Sequence, residues 1–177
     1  VTGSGSPRGI GKTIAKAFAG QGGKVVVADM NEAGVQDTVR ELEGLSGTAM
    51  GVVVNVTDKA SIDAMVENVM AKWGRIDVLV NNAGISQKVT VEDMTLEDMR
   101  RIFEVNVYSL IMCTQRCMKV MRKAGYVRLV NLSSVSGKRG CGVFGRTHSS
   151  APKPAVLGFA NNLSRALSAG RATLTAV

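Results

Sequence analysis

Four short β-branched runs, each separated from the next by a helix-length segment, most constrain what this chain can fold into. They are "KVVVAD" (24–29), "TAMGVVVNV" (48–56), "RIDVLVNNAG" (75–84) and "YVRLVNLSS" (126–134). Nearly continuous apolar runs of this length suit strands buried on both faces, as in a parallel sheet. The intervening helical segments are Ile10 to Ala19, Glu32 to Leu42 and Ser61 to Lys72, the last closed by Gly74. Thr95 and Asp98 have the spacing of a capping box, opening a long helical segment that breaks around Asn106 and resumes to Met121. Such alternation predicts an α/β fold, a doubly wound parallel sheet with helices on both faces. Val1 and Thr2 read as the tail of a first strand and "RATLTAV" as the start of a sixth. The expectation is one domain over residues 1–177, clipped at both ends.

Composition narrows the function classes. Hydrophobic content of 45% with 20% charged residues fits a folded, soluble chain. No run reaches the roughly 20 apolar residues of a membrane span, and no signal peptide is read, so a cytoplasmic location is expected. The net charge of +8 is scattered, without a basic block or interleaved aromatics, which argues against nucleic acid and for steering of a phosphate-bearing small molecule. Cys113, Cys117 and Cys141 lack metal-ligand spacing and read as thiols, the first two buried; no metal is expected.

"VTGSGSPRGIGKTIAKAFA" places glycines at 3, 5, 9 and 11 ahead of an amphipathic helix. A strand turning sharply into a helix leaves backbone N–H groups free to meet a pyrophosphate, and side chains there would hold the ligand away. Gly5, Gly9 and Gly11 meet a G-x-x-x-G-x-G spacing. Alternatively Gly3 opens the set, the loop is two residues longer, and "SPR" bulges outward. About twenty residues on, Asp29 ends the next strand, where a carboxylate can accept hydrogen bonds from an adenosine ribose. It could instead cap the following helix, a role Asn31 can fill equally well. Turn and carboxylate together predict a Rossmann-type dinucleotide site. Asp29 would repel a 2′-phosphate, favouring NAD over NADP, whereas Arg8 argues mildly the other way.

"GIG" after the glycine turn, "NNAG" (81–84), "VNV" (105–107), "NLSSVSG" (131–137) and "KPAVLGFANNLSRAL" occur in order. Together they resemble the short-chain dehydrogenase/reductase family over essentially the whole chain. The resemblance implies hydride transfer between a nicotinamide and a carbonyl or secondary alcohol, with "SSVSGKRG" most similar to members acting on polyols or keto-sugars. It implies homo-oligomers, dimers or tetramers, assembled through the helices near Asn106 and after Lys153. Gly3, Gly5, Gly9, Ile10 and Gly11 would line the cofactor's phosphates. Asn82, Ala83 and Gly84 would border its ribose and nicotinamide, and Asn55 with Val56 its adenine; the family usually has aspartate where Asn55 stands. Asn106 would hold a water in a proton relay, although a helix-kinking polar residue has the same geometry. Ser134, rather than Ser133, would orient substrate, and Lys153 would bind the nicotinamide ribose.

The family pattern Tyr-x-x-x-Lys is broken, because Ser149 stands four residues before Lys153. The tyrosine acts as general acid because an ammonium lowers its pKa from about 10. An alkyl hydroxyl is a far weaker acid on a shorter arm, and Tyr108 and Tyr126 lie in other segments. His148 has a suitable pKa but points elsewhere on a helix, so it reads as solvated or structural. Pro152 and Pro154 disfavour helical backbone at Ala151 and Lys153. The last helix is therefore expected to begin at Pro154 and cover roughly Ala155 to Ala169, with Lys153 extended and its ammonium displaced. These features predict an inherited site whose acid is gone: an NAD-dependent oxidoreductase, or a catalytically impaired NAD-binding relative of one.

Overall fold

The computed structural model describes residues 1–90, 92–135, 151–167 and 172–176. Among the described residues five strands and six α-helices follow one another: α1 (Ile10–Gly20), β1 (Lys24–Asp29), α2 (Glu32–Glu43), β2 (Thr48–Val53), α3 (Lys59–Trp73), β3 (Val78–Asn81), α4 (Leu96–Phe103), α5 (Ser109–Lys123), β4 (Val127–Asn131), α6 (Pro152–Leu167) and β5 (Ala172–Ala176). All pairings are parallel, β1 with β2 and then β3, β4 and β5 in order. Thr2 joins the two groups, bridging to Ala28 on one side and donating its N–H to the Val80 carbonyl (3.0 Å) on the other. With residues 1–3 counted as the first strand, the order is 3-2-1-4-5-6, and the winding reverses beside Thr2.

Strand geometry sends successive side chains to opposite faces, so a doubly covered sheet needs apolar residues at every position. In β1, Val25 and Val27 join Ala15, Ala19, Val35 and Leu42 under α1 and α2. Ala28, with Val26 packed beside it, meets Ile62, Met65, Val66, Cys113, Cys117 and Met121 under α3 and α5. The two cysteines are core thiols, and burial pushes Cys113 up to about 12 and Cys117 to about 11. Among the described residues no helix is long and apolar enough to cross a membrane, and no group of three or more His, Cys, Asp or Glu is gathered as for a metal.

The helix starts follow local chemistry. Asn31 caps α2 by accepting from the Gly34 N–H, and Asp58 caps α3, which begins at Lys59, two residues before the expected start at Ser61. The reciprocal capping box of Thr95 and Asp98 is present at α4. The expected break at Asn106 is a π-type turn, Glu104–Tyr108, between α4 and α5.

The last helix departs from expectation. It begins at Pro152, not Pro154, so Lys153 is helical and not extended. The first four N–H groups of a helix have no intrahelical acceptor, and both prolines lie in that turn, where a missing donor costs no hydrogen bond. Burial of Pro152, Val156 and Ala160 outweighs the backbone preference of a residue preceding proline. Ser149 and His148, together with Cys141, lie outside the described residues, as do positions 168–171.

Within the core, Asn81 of β3 donates through Nδ2 to Thr114 Oγ1 (3.0 Å) and Asn131 Oδ1 (2.9 Å), tying β3 to α5 and β4. Asn131 is fully buried. Replacing Asn81 with alanine strands both partners and is expected to cost about 2–3 kcal/mol. Urea unfolding with an unchanged slope checks this, and a loss under roughly half a kcal/mol would contradict it.

Candidate active site

Among the described residues, the glycine turn, Asp29, Asn55, the "NNAG" turn and Ser133–Ser134 all follow the carboxyl ends of strands, where open α/β sheets bind ligands beside the reversal of strand order. The glycine turn starts at Gly3, whose φ of +67° is one that side-chain-bearing residues rarely adopt. A Cβ there would lie 2.7 Å from the Ala83 Cα, and one at Gly11 would lie 2.5 Å from the Gly3 carbonyl. The turn, α1 and the Asn82–Ala83 segment thus pack backbone to backbone. Of the two spacings the sequence allowed, the one opened by Gly3 describes this turn. Ser6, Pro7 and Arg8 are exposed, as the longer loop requires. Gly9 is the N-cap of α1, with no side-chain cap and no acidic residue in the first turn. The first-turn amides of α1 therefore carry no side-chain acceptor, the donor set that suits a pyrophosphate.

Asp29 is held ready by two backbone donors, Gly5 N–H to Oδ2 (2.9 Å) and Asn31 N–H to Oδ1 (3.1 Å). Asn31, not Asp29, caps α2, which leaves the carboxylate's remaining lone pairs available. Asn55 is exposed; its Oδ1 accepts from Thr57 N–H (3.0 Å) and Thr57 Oγ1 (2.8 Å), so Nδ2 is the group it can still offer. Val56 beside it is half-buried.

Thr2 organises the "NNAG" turn, and motif spacing alone did not single it out. Its Oγ1 accepts from the N–H groups of Asn82 and Ala83 (both 3.1 Å), while Asn82 Nδ2 donates to the carbonyls of Thr2 and Gly3 (both 3.0 Å). The available signal was a hydroxyl directly before a strand-ending glycine. A Cβ at Gly84 would lie 2.6 Å from Asn106 Oδ1, so the turn abuts the π-type turn. Asn106 is buried, and its Nδ2 donates to the carbonyls of Ile102 (2.9 Å) and Ile85 (3.0 Å). The side-chain amide takes the carbonyl four residues back, which the widened backbone releases.

After β4, Ser133 and Ser134 are half-buried, and Lys153 reaches them from α6. Its Nζ donates to the Leu132 carbonyl (2.9 Å), and burial lowers its pKa from the ordinary lysine value. Lys12, which follows the glycine turn in sequence, is charge-paired with Glu41 of α2. It is bonded to Glu41 Oε1 at 2.6 Å, and Lys16 reaches the other oxygen at 2.5 Å. Hydrogen bonding from Lys12, then Lys16, holds the Glu41 carboxyl at about 2. Because that value lies below the ordinary 4.5, the pairing stabilises the fold above that range and fades as pH falls towards 2. Carboxyl carbon NMR in low salt is expected to show a midpoint near 2, and an unshifted midpoint would contradict the pairing.

Strand order, the glycine turn at the winding reversal and the loops gathered around it define a doubly wound, Rossmann-type protein. The family model described as short chain dehydrogenase matches residues 1–177. The 3-oxoacyl-[acyl-carrier-protein] reductase of Synechocystis is 35% identical over 175 residues, 98% of this chain and 70% of that protein. The Escherichia coli reductase FabG of the same description is 34% identical over 174 residues, 98% of this chain and 69% of that protein. The crystal structure of a putative short-chain dehydrogenase/reductase from Burkholderia xenovorans superposes with a TM-score of 0.93 at 26% identity, covering 99% of this chain and 68% of that one. The chain belongs to the short-chain dehydrogenase/reductase family of oxidoreductases, which use nicotinamide cofactors.

Proposed function

We propose that this chain holds NAD(H) along the carboxyl edge of its sheet and acts as an oxidoreductase on a carbonyl or secondary alcohol. The observation that carries this is that the glycine turn holds both Asp29, by Gly5 N–H to Oδ2, and Asn82, whose Nδ2 donates to the Gly3 carbonyl, at the reversal of strand order. The amides from Gly9 to Gly11, with Ile10 between them, would meet the pyrophosphate, with Gly3 and Gly5 giving it room. Asp29 would accept from the adenosine ribose hydroxyls, and its fixed negative charge disfavours a 2′-phosphate, supporting NAD over NADP. Asn55 Nδ2 would donate to the adenine edge beside Val56. Asn82, Ala83 and Gly84 would border the nicotinamide side, and Lys153 would donate to its ribose. When bound, the nicotinamide gives or receives a hydride. Ser134 would orient the substrate oxygen, and Asn106 would hold a water behind it.

Ser149 favours a second form of the same proposal, in which the cofactor binds and turnover is impaired. The narrower substrate class remains polyols or keto-sugars, on the strength of "SSVSGKRG"; the relatives' printed names add 3-oxoacyl thioesters to the compounds worth assaying. Homo-oligomers, no nucleic-acid or membrane partner and a cytoplasmic location belong to the same proposal. Calorimetric titration with NADH, in parallel with turnover assays, tests it. Saturable binding with turnover supports the enzyme, and binding without turnover supports the impaired form. An absence of binding by folded protein overturns both.

A further inference from the structure

We infer that Ser133 is a positioning residue which, with the Leu132 carbonyl, clasps Lys153 and fixes the first turn of α6 against the end of β4. Two hydrogen bonds run in opposite senses between the same two short segments. Ser133 Oγ donates to the Lys153 backbone carbonyl (3.0 Å), and Lys153 Nζ donates back to the Leu132 carbonyl (2.9 Å). Leu132 is itself anchored, its N–H bonded to the Asn81 carbonyl at 2.9 Å, so the clasp extends from the sheet.

A second grip is needed here for a physical reason. A lysine head held at one carbonyl still has four rotatable bonds and a backbone free to shift. Fixing the backbone of the same residue removes most of that freedom. The first turn of α6 also lacks the backbone donors by which a helix start usually docks, because Pro152 and Pro154 have no N–H. Ser133 ties this turn down through an acceptor instead, the Lys153 backbone carbonyl. Ser134 follows directly in the chain, so the clasp also sets the spacing between the Ser134 hydroxyl and the Lys153 ammonium. The burial that lowers the Lys153 pKa persists only while the side chain stays inside the clasp. What this does for the cofactor rests on the role of Lys153 given under Proposed function.

The full chain and its Ser133→Ala and Ser133→Thr variants are compared by acetylation of lysines at fixed pH, read by peptide mass spectrometry. Exposed Lys119 serves as internal reference and buried Lys12 as monitor of unfolding. In Ser133→Ala, Lys153 is expected to label about three- to tenfold faster, the equivalent of one ordinary hydrogen bond. Lys12 and Lys119 should stay unchanged, and threonine should restore the slow rate. Unchanged Lys153 labelling in folded Ser133→Ala overturns the clasp. Should that variant unfold, Ser133→Cys, similar in size and a poorer donor, carries the comparison, and wild-type labelling there overturns it equally. NADH affinity is measured alongside. A wild-type chain that binds no NADH defeats the proposed function and leaves the labelling result standing, whereas intact binding with unaltered labelling defeats the clasp alone.

Discussion

Replacing Ser149 with tyrosine is expected to raise carbonyl reduction by roughly 10²–10⁴-fold, the usual contribution of a positioned general acid. The serine hydroxyl is too weak an acid to give up a proton near neutral pH. A phenol starts from a pKa of about 10, and a nearby ammonium lowers it further. The ammonium required is present, since Lys153 is helical, half-buried and bonded at Nζ to the Leu132 carbonyl. NADH consumption at saturating substrate measures the gain, and NADH affinity should change less than about twofold, because the substitution alters the acid and not the cradle. The variant should also acquire a titrating limb in its pH–rate profile that the parent lacks. Parent and variant turning over equally would show that the proton comes from another group.

Replacing Gly34 with alanine is expected to cost both stability and cofactor affinity, although it improves the local helix. Gly34 lies in the first turn of α2, and even in a helix interior alanine is favoured over glycine by no more than about 1 kcal/mol. The added Cβ, however, would fall 1.9 Å from the Gly5 carbonyl oxygen and 2.9 Å from its carbon. The obstacle is backbone, so the loop itself must move. Overpacking of this kind costs about 1–3 kcal/mol, which exceeds the propensity gain. A fall in Tm of about 2–4 °C per kcal/mol lost follows for a chain of this size. The loop shift also draws Gly5 N–H off Asp29, where it now sits at 2.9 Å, so NADH affinity should drop about tenfold, as for a lost hydrogen bond to a charged group. Gly20 at the end of α1 is the control. It is exposed with nothing within 4 Å of its would-be Cβ, and Gly20→Ala should be neutral or stabilising by about 0.5–1 kcal/mol. A raised Tm in Gly34→Ala with unaltered NADH binding would remove the loop from the account.

The contrast between these two glycines marks how far the residues could be read in advance. Both lie in helical segments, and nothing adjacent in the chain separates the one pressed against Gly5 from the one facing open space. Strands and helices were legible because hydrophobic period is a local property, and the capping box at Thr95 and Asp98 because its partners are three residues apart. The start of α6 is not legible locally, because proline's penalties oppose it and the burial of Pro152 and Val156 that overrides them exists only in the packed fold. The role of Ser133 is equally invisible locally, because its partner, the Lys153 carbonyl, lies twenty residues away.

The chain's own pattern determined the doubly wound α/β architecture, the glycine turn, the carboxylate ending β1 and the serine four residues before Lys153. Tertiary structure alone decided which glycine opens the turn, that Asp29 is oriented by Gly5 and Asn31, that Thr2 organises the Asn82 turn, and that Lys153 is helical. The division has one physical cause. Period and capping act over a few residues, whereas these contacts join backbone segments brought together only when the sheet closes, up to 81 residues apart at Thr2 and Ala83.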